Sequence, residues 1–233
     1  MVNNWLNIIQ QKLLPPRCVL CGNRGLEDMD LCAGCLSDLP RNQSCCYRCG
    51  EHFETAIDIP QLCGRCLKQP PNFDETYAPY LYQGPLPYLI GALKFGNDYK
   101  NARLLAHLLA EHIASHAELP DCLLPVPLHP KRYRERGFNQ SLEIARHLAN
   151  RFSLPLDLHS CIRNRDTGHQ ISLPAKQRRK NMRRAFTIAK PPAYQHIAII
   201  DDVMTTGATV SSLAGALKKA GVGRVDVWVC ARA

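Results

Sequence analysis

The sequence of 233 residues predicts an α/β protein in which a parallel β-sheet with helices on both faces is preceded by a small cysteine-rich module. Two observations predict the sheet. Short, β-branched apolar runs such as 197–200 have the length of buried parallel strands, and they alternate with amphipathic helical patterns. A third observation predicts the module, because most cysteines fall within the first third of the chain. We therefore divide the chain into 1–75, the N-terminal helix with the cysteine-rich module, and 76–233, the α/β domain.

Eight of the twelve cysteines form four Cys-x-x-Cys pairs. Ten residues separate the first pair from the second, and thirteen residues separate the third pair from the fourth. Each such turn can present two thiolates to one metal ion, and two turns complete a closed tetrahedral zinc site. We predict two structural zinc ions, with sequential pairing as the simplest arrangement and an interleaved RING-like pairing as the alternative. Iron–sulfur ligation would use the same ligand type. The predicted ligands are Cys18, Cys21, Cys32, Cys35, Cys46, Cys49, Cys63 and Cys66.

The N-terminal segment 1–14 is typical of a short amphipathic helix that packs on its own protein. It lacks the basic start and the small-residue cleavage site of a secretory signal, and the sequence contains no apolar stretch of about 20 residues. We expect a cytoplasmic protein without membrane insertion, in which disulfides are disfavoured. The four other cysteines, Cys45, Cys122, Cys161 and Cys230, are expected to be small hydrophobic residues.

From residue 76 onward, strands and helices alternate in the order expected for right-handed crossovers between parallel strands. Strands are predicted at 77–82 on a sheet edge, 123–127, more weakly 156–161, then 186–188, 197–200 and 225–230. Helices are predicted at 85–95, 100–115 and 139–152, and a last one is predicted where apolar residues recur at helical spacing from Val210 to Ala220. The segment 163–184 has no apolar periodicity and is predicted to be a long mobile loop or a partly helical one. Ligands of such sheets collect at the carboxyl ends of the strands, where Pro127 and Asp201 lie.

The segment after the strand at 197–200 has the composition of a phosphate-binding loop. Two carboxylates end the strand, and a stretch of small residues and hydroxyls leads into a helix. The N–H groups and dipole of a helix N-terminus favour an anion, and paired carboxylates can accept hydrogen bonds from ribose hydroxyls. The alternative is that the acids merely end a strand and a threonine caps the helix. The predicted site residues here are Asp201, Asp202, Thr205, Thr206, Gly207, Ala208 and Thr209.

Positive charge is concentrated in the second half of the chain. The net charge is +9 overall, and 131–190 contains fifteen Lys or Arg against four Asp or Glu, an excess of +11. A field of this sign suits nucleic acid or a polyphosphate, and the alternative is a solvated face that maintains solubility. The predicted nucleic-acid contacts, with single-stranded DNA as the expected partner, are Lys131, Arg132, Arg134, Arg178, Arg179 and Lys180.

Three motifs that follow the cysteine module, PVPLHPKRYRERGFNQS (125–141), RNRDTGHQISLPAKQRRKNMRRAF (163–186) and DDVMTTGAT (201–209), closely resemble those of the ComF/GntX family. The resemblance implies a double zinc ribbon followed by a type I phosphoribosyltransferase fold, and a role in natural transformation. It further implies that the two acids hold the ribose hydroxyls of phosphoribosyl pyrophosphate (PRPP) and that 205–209 holds its 5′-phosphate. By the same resemblance 163–184 is a lid, and the pyrophosphate loop comprises Val126, Pro127, Leu128 and His129.

PRPP is a polyanion that binds with Mg²⁺, so its site requires cations, and Arg136, Arg163, Arg178 and Arg179 are candidates for its diphosphate. Three functions follow. The preferred one is a DNA-uptake protein with a working PRPP–Mg²⁺ site that also binds single-stranded DNA and proteins of the uptake machinery. The second is a phosphoribosyltransferase with an unidentified acceptor, since no nucleobase-selecting hood is recognisable. The third is a zinc-ribbon scaffold. No nucleophile arrangement is recognisable, so no catalytic residue is assigned.

Overall fold

The computed structural model describes residues 15–27, 29–95, 99–164 and 185–233, and at its centre lies a five-stranded parallel sheet. The strands in chain order are β1 (Glu75–Tyr77), β2 (Tyr80–Leu81), β3 (Cys122–Pro125), β4 (Cys161–Arg163), β5 (Phe186–Ile188), β6 (His196–Met204) and β7 (Arg224–Arg232). The sheet order is β1-β7-β6-β3, and β2 also pairs with β7. β4 and β5 form a separate antiparallel pair.

The two central strands β6 and β7 are buried on both faces, which explains their nearly continuous apolar sequences. Along β6, Ile197 and Ile199 lie in one hydrophobic core while Ala198 and Ile200 lie in the other. Successive side chains of a strand point to opposite faces, so a single apolar run supplies both cores. Trp228 of β7 is completely buried.

Helices cover both faces of the sheet, which confirms the predicted architecture. The helices in chain order are α1 (Ala33–Ser37), α2 (Gly64–Lys68), α3 (Leu86–Phe95), α4 (Tyr99–His116), α5 (Pro130–Arg136), α6 (Gln140–Phe152) and α7 (Ala208–Lys219). The helices α3, α4 and α6 pack on one face, and α7 packs on the other. The short helix α5 was not predicted, although Pro130 at its start and Gly137, with a φ of 77°, at its end are typical helix-boundary residues.

Two strand predictions need correction. The strand predicted at 77–82 is divided into β1 and β2, because Pro79 has no N–H to donate to β7, and the Pro79 carbonyl instead accepts a hydrogen bond from Asn42 N at 2.9 Å. The strand predicted at 156–161 is wrong. Only Leu156 forms an isolated bridge, to Leu123 on the outer edge of β3, and the following strand begins at Cys161.

The cysteine-rich module packs directly on the α/β domain. Cys18, Leu31 and Leu39 belong to the same core as Tyr80 and Leu86. The first strand of the sheet, β1, begins close to the predicted boundary, and the division into 1–75 and 76–233 stays a prediction. The predicted N-terminal helix and most of the predicted loop at 163–184 lie outside the described residues. Within the described ranges, no helix combines the length and apolarity that crossing a membrane would require.

Candidate metal centres and phosphate site

The eight predicted ligands form two separate groups of four cysteines. The first group comprises Cys18, Cys21, Cys32 and Cys35, and the second comprises Cys46, Cys49, Cys63 and Cys66. The sequential pairing is therefore confirmed, and the interleaved RING-like pairing is wrong, because each group draws on consecutive Cys-x-x-Cys turns.

The geometry of both groups fits a zinc ion. Within each group all four sulfur atoms lie within 4.8 Å of one another, and the Sγ–Sγ distances are 3.6 Å between Cys21 and Cys32 and 3.6 Å between Cys49 and Cys63. Four sulfur ligands at about 2.3 Å from a tetrahedral zinc ion would be about 3.8 Å apart. Four thiolates would leave no open coordination position, so both sites are suited to a structural role.

The second cysteine group is supported by an arginine that the sequence analysis did not single out. Arg65 Nη2 donates to Cys49 Sγ at 3.7 Å and pairs with Glu51 Oε2 at 3.2 Å. A positive group beside a ligating sulfur stabilises its thiolate form, and such outer contacts orient the ligands of a metal. The position of Arg65 inside the Cys63-x-x-Cys66 turn is the signal that identifies it in the sequence.

The two predicted acids lie at the carboxyl end of β6, where each is held by a different helix. Ser141 Oγ, from the first turn of α6, donates to Asp201 Oδ1 at 2.8 Å. Lys94 Nζ, from the last turn of α3, forms an ion pair with Asp202 Oδ2 at 2.5 Å. Asp202 is buried, and a buried carboxylate requires such a partner. The sheet and two helices thus fix both side chains before any ligand binds.

The acids differ in electrostatic environment. Burial, reinforced by the negative charge of Asp202, raises the pKa of Asp201 to about 7. Arg136, at the end of α5, lies within the field of both acids. Burial lowers the pKa of Arg136 and Arg132 lowers it further, whereas Asp202 and Asp201 oppose that shift. Arg136 therefore lies close enough for the charges of both acids to affect it, and its part in a PRPP site stays a prediction.

The loop after β6 leads into α7 with its backbone open to a ligand. Gly207 is the N-terminal cap of α7 and has a φ of 74°, the left-handed region that favours glycine. A Cβ atom here would lie 3.4 Å from Met204 Sδ. Thr205 and Thr206 are exposed, and Thr206 Oγ1 accepts from Ala208 N at 3.3 Å. The predicted residue Thr209 lies in the first turn of α7, so 205–209 comprises the loop before this twelve-residue helix and the start of its first turn.

The predicted pyrophosphate loop follows β3, the neighbour of β6. Val126 is buried and its N–H donates to the Ile200 carbonyl at 2.9 Å, so 126–129 starts beside the acidic pair. Pro127 and Leu128 are partly exposed. His129 caps α5, because its Nδ1 accepts from Lys131 N at 3.3 Å, which gives this histidine a structural role.

The remaining predicted cations are distributed over three places. Arg163 lies on β4 with its guanidinium carbon 5.6 Å from the centre of the Phe186 ring. On α5, Lys131 and Arg134 are exposed and Arg132 is half-buried. The predicted contacts Arg178, Arg179 and Lys180 lie outside the described residues, so their part in either site stays a prediction.

Two residues of the acidic site were not predicted as site residues. Lys94 lies two residues before Gly96, in the last turn of the helix predicted at 85–95. Ser141 follows Asn139, the side-chain cap of α6, whose Oδ1 accepts from Ser141 N at 3.0 Å. The contacts of Lys94 and Ser141 with the acids join segments that are distant in the sequence, and no local pattern predicts such contacts.

The comparisons with known proteins agree with this combination of a cysteine module and an α/β domain. A family model described as a double zinc ribbon domain matches residues 9–67. Competence protein F of Haemophilus influenzae is 34% identical over 93% of this chain and 97% of its own. The DNA utilization protein YhgH of Salmonella typhimurium is 34% identical over 94% of this chain and 98% of the YhgH chain. Competence protein ComFC of Streptococcus pneumoniae is 25% identical over 88% of this chain and 89% of the ComFC chain.

The fold and these matches identify the class of protein and the family to which the chain belongs. The chain is a double zinc ribbon protein with a parallel α/β domain. It belongs to the ComF/GntX family. Among solved structures, the glutamine PRPP amidotransferase from B. subtilis matches with 22% identity and a TM-score of 0.37, over 54% of this chain and 25% of the amidotransferase chain. A purine phosphoribosyltransferase from Pyrococcus horikoshii matches with 16% identity and a TM-score of 0.33, over 55% of this chain and 80% of the transferase chain.

The raised pKa of Asp201 predicts how stability varies with pH. The folded protein retains a proton on this carboxyl that the unfolded chain releases near pH 4, so its contribution to stability falls as pH rises toward and beyond 7. Asn mimics the protonated acid. As the pH rises from 6 to 8, the unaltered protein should therefore lose about 1 kcal/mol of unfolding free energy that the Asp201→Asn protein keeps. The measurement is urea denaturation of both proteins at each pH, with zinc retained. The exposed acid Asp58, changed to Asn, should give no such pH-dependent gain.

Proposed function

We propose that this protein binds PRPP with Mg²⁺ and single-stranded DNA, and that it acts in DNA uptake during natural transformation. The observation that carries the proposal is the acidic pair at the carboxyl end of β6. The pair is fixed by Lys94 and Ser141, lies within the field of Arg136, and precedes the N-terminus of α7 by five residues. In PRPP, the ribose hydroxyls suit the carboxylates, the diphosphate suits the cation, and the 5′-phosphate suits the N–H groups at the helix N-terminus.

The chemistry of each group assigns it a part of PRPP. Asp201 and Asp202 accept hydrogen bonds from the two ribose hydroxyls. The N–H groups at the start of α7 and the hydroxyls of 205–209 hold the 5′-phosphate, since a helix N-terminus favours an anion. Arg136 and the backbone of 126–129 face the diphosphate, whose charge Mg²⁺ shares. Arg163 is a further candidate cation, on β4.

The proposed nucleic-acid surface begins on α5 and includes the basic residues Lys131, Arg132 and Arg134. They lie beside the PRPP site, on the same helix as Arg136. Competence protein F and DNA utilization protein YhgH, the relatives by name, support a partner of this kind. We place the protein in the cytoplasm, where a strand that enters the cell would be single-stranded, in contact with proteins of the uptake machinery.

The proposal is tested by isothermal titration of PRPP with Mg²⁺ into the zinc-loaded protein, with and without single-stranded DNA. We expect one PRPP per chain, and binding that depends on Mg²⁺. If both ligands use the arginines near the acidic pair, each should weaken the affinity for the other by the same factor. The absence of PRPP binding with Mg²⁺ present would contradict the proposal.

The second candidate function is a phosphoribosyltransferase, and the observation that favours it is the rigid hold on both acids. Preorganised polar groups stabilise charge that develops in a transition state, without needing to reorganise. The two functions differ in turnover. An enzyme releases diphosphate continuously when PRPP and an acceptor are present, whereas a sensor binds PRPP without consuming it. A coupled diphosphate assay with PRPP and mixed nucleobases distinguishes them.

The basic region predicts a steep salt dependence of DNA binding. For a single strand, log K falls by about 0.7 per phosphate contact for each unit of log salt concentration. The triple change of Arg178, Arg179 and Lys180 to Ala should flatten that slope by about two units, measured by fluorescence anisotropy. A matched triple change to Ala of three exposed basic residues outside 131–190, Arg24, Lys68 and Lys219, should leave the slope nearly unaltered. Equal slopes for both variants would contradict the assignment.

A further inference from the structure

The two cysteine groups differ in how far their sulfur ligands are exposed. In the first group Cys21 is exposed, and Cys32 and Cys35 are half-buried. In the second group three of the four cysteines are buried, and Cys63 is half-buried. All twelve cysteines of the chain lie in the described residues, and Cys21 is the only one of them that is exposed. A reagent in solution therefore reaches the first group more easily than the second.

Packing restricts access to the sulfur atoms of the second group. Its three buried cysteines belong to the hydrophobic core that also contains Leu124 of β3 and Ile199 of β6. In the first group Cys18 alone belongs to a core. A reagent must open the packing against the sheet before it meets the second group, and protein interiors are close-packed. The first group needs no such opening at Cys21.

The groups also differ in the positive charge beside them. In the second group, Arg65 Nη2 donates to Cys49 Sγ at 3.7 Å. Among the described residues no lysine or arginine donates to a sulfur of the first group, where the Cys35 N–H donates to Cys32 Sγ at 3.5 Å. A thiolate loses nucleophilicity as its basicity falls, and a cation beside it lowers that basicity. The thiolates of the first group therefore keep more of their reactivity.

The cysteines outside the two groups are poor targets for the same reagent. Burial raises the pKa of Cys122 and of Cys161 to about 12. Burial also raises the pKa of Cys45 and of Cys230. These four thiols stay protonated near pH 7, and a protonated thiol is a weak nucleophile. An oxidant is thus directed to the first group, where exposure and thiolate character coincide.

We propose that the first cysteine group is a site of reversible oxidation, at which a peroxide joins Cys21 to Cys32. The Cys21 thiolate attacks hydrogen peroxide, takes one oxygen atom with its hydrogen to become a sulfenic acid, and releases hydroxide. The Cys32 thiolate, whose sulfur lies 3.6 Å from that of Cys21, displaces a second hydroxide and forms the disulfide. Two electrons pass from the two thiolates to the peroxide, and each hydroxide takes a proton from solvent to become water. Thiols reverse this step.

The oxidised group has lost half of its ligands. Cys18 and Cys35 alone cannot complete a tetrahedral site, so the group no longer holds its zinc ion. The second group keeps four thiolates and continues to support the core that it shares with the sheet. One cysteine group thus responds to oxidant while the other maintains the fold. This inference goes beyond the proposed function, because it requires neither PRPP nor DNA.

The experiment treats the unaltered, zinc-loaded protein with hydrogen peroxide in the presence of a chromogenic zinc chelator. One zinc ion per chain should be released about tenfold faster than the other, or more. The chelator without peroxide is the control, and it should give no such fast phase. Peptide mass spectrometry at the end of the fast phase, after free thiols are blocked, should find a disulfide between Cys21 and Cys32. The four ligands of the second group should be recovered as blocked thiols.

Two variants and a reversal assign the fast phase. Cys21→Ser should hold one ion as purified and should show no fast release, because the exposed ligand is gone. Cys45→Ser is the matched control, since Cys45 lies outside both groups, and it should release one ion as fast as the unaltered protein. After the fast phase, dithiothreitol with added zinc should restore two ions per chain.

Release of both ions at one rate would overturn the inference, and so would a first disulfide that lies in the second group. A fast phase that persists in Cys21→Ser, or a loss of zinc that dithiothreitol and zinc do not reverse, would do the same. The rates and the disulfide are measured on the unaltered protein, so the outcome does not depend on whether Cys21→Ser folds.

Discussion

Cys46→Ser will remove one of two zinc ions and most of the stability of the fold. Cys46 is completely buried and belongs to the same core as Leu124, Ile199 and Val227 of the sheet. Structural zinc binding contributes about 10–16 kcal/mol in zinc-finger peptides, which is comparable to the whole stability of a typical domain, about 5–15 kcal/mol. Elemental analysis should give one zinc per chain instead of two, and the melting temperature should fall by about 10 °C or more.

The adjacent residue provides the matched control. Cys45 is half-buried and lies outside both cysteine groups, so Cys45→Ser should retain two zinc ions and nearly the original melting temperature. Cys18→Ser should remove the other ion while the second group stays filled. A folded, soluble Cys46→Ser protein that still contains two zinc ions would show that the second group is not a metal site.

The effect of Cys46→Ser should extend to the phosphate loop, because a buried arginine joins the second ribbon to the end of β6. Arg232, on β7, donates through Nε to the Cys49 carbonyl at 3.1 Å and forms an ion pair with Glu51. Its Nη1 donates to the Met204 carbonyl at 3.2 Å, immediately before the loop. Any zinc-depleted protein that remains folded should therefore bind PRPP more weakly than the zinc-loaded protein.

The metal ligands could be predicted from sequence because the signal is local. The Cys-x-x-Cys turn itself places two sulfur atoms together, so spacing alone predicted the ligands. The acids Asp201 and Asp202 were recognisable for the same reason, as polar residues that follow an apolar run and precede a helix. The prediction that they end the strand is wrong, because β6 continues past them to Met204. Alternating apolar runs predicted β3, β6 and β7, since strands buried on both faces need a continuous apolar sequence.

Features that depend on tertiary contacts could not be predicted in this way. Lys94 reaches Asp202 only because α3 ends above the carboxyl end of β6. Asp157 lies beside β3 because its backbone N–H donates to the Leu123 carbonyl on the outer edge of that strand, where the sequence predicted an ordinary strand. The helix α5 was missed since its seven residues, mostly charged, have no apolar periodicity. Its boundary residues were the available signal.

Asp201→Ala and Asp202→Ala should each weaken PRPP–Mg²⁺ binding by about 1.5–3 kcal/mol, the usual range for hydrogen bonds to a charged group. That corresponds to about a tenfold to a 150-fold rise in Kd, measured by isothermal titration. The two effects should not add, because the carboxylates are adjacent and share a ligand. Asp121→Asn is the control for charge. Asp121 accepts from His196 N at 2.8 Å at the amino end of β6, so the change removes a negative charge from the opposite edge of the sheet.

The ion pair of Asp202 with Lys94 sharpens the test. In the Asp202→Ala protein, Lys94 loses its partner and leaves an uncompensated cation beside the site. That cation attracts the phosphates of PRPP, so the loss from Asp202→Ala alone should be smaller than the loss from Asp202→Ala combined with Lys94→Met. If the double change Asp201→Ala and Asp202→Ala retains the original affinity, PRPP does not bind through these acids. If inorganic phosphate binds at the N-terminus of α7 alone, the loss should be confined to PRPP, and the weaker binding of inorganic phosphate should persist in every one of these variants.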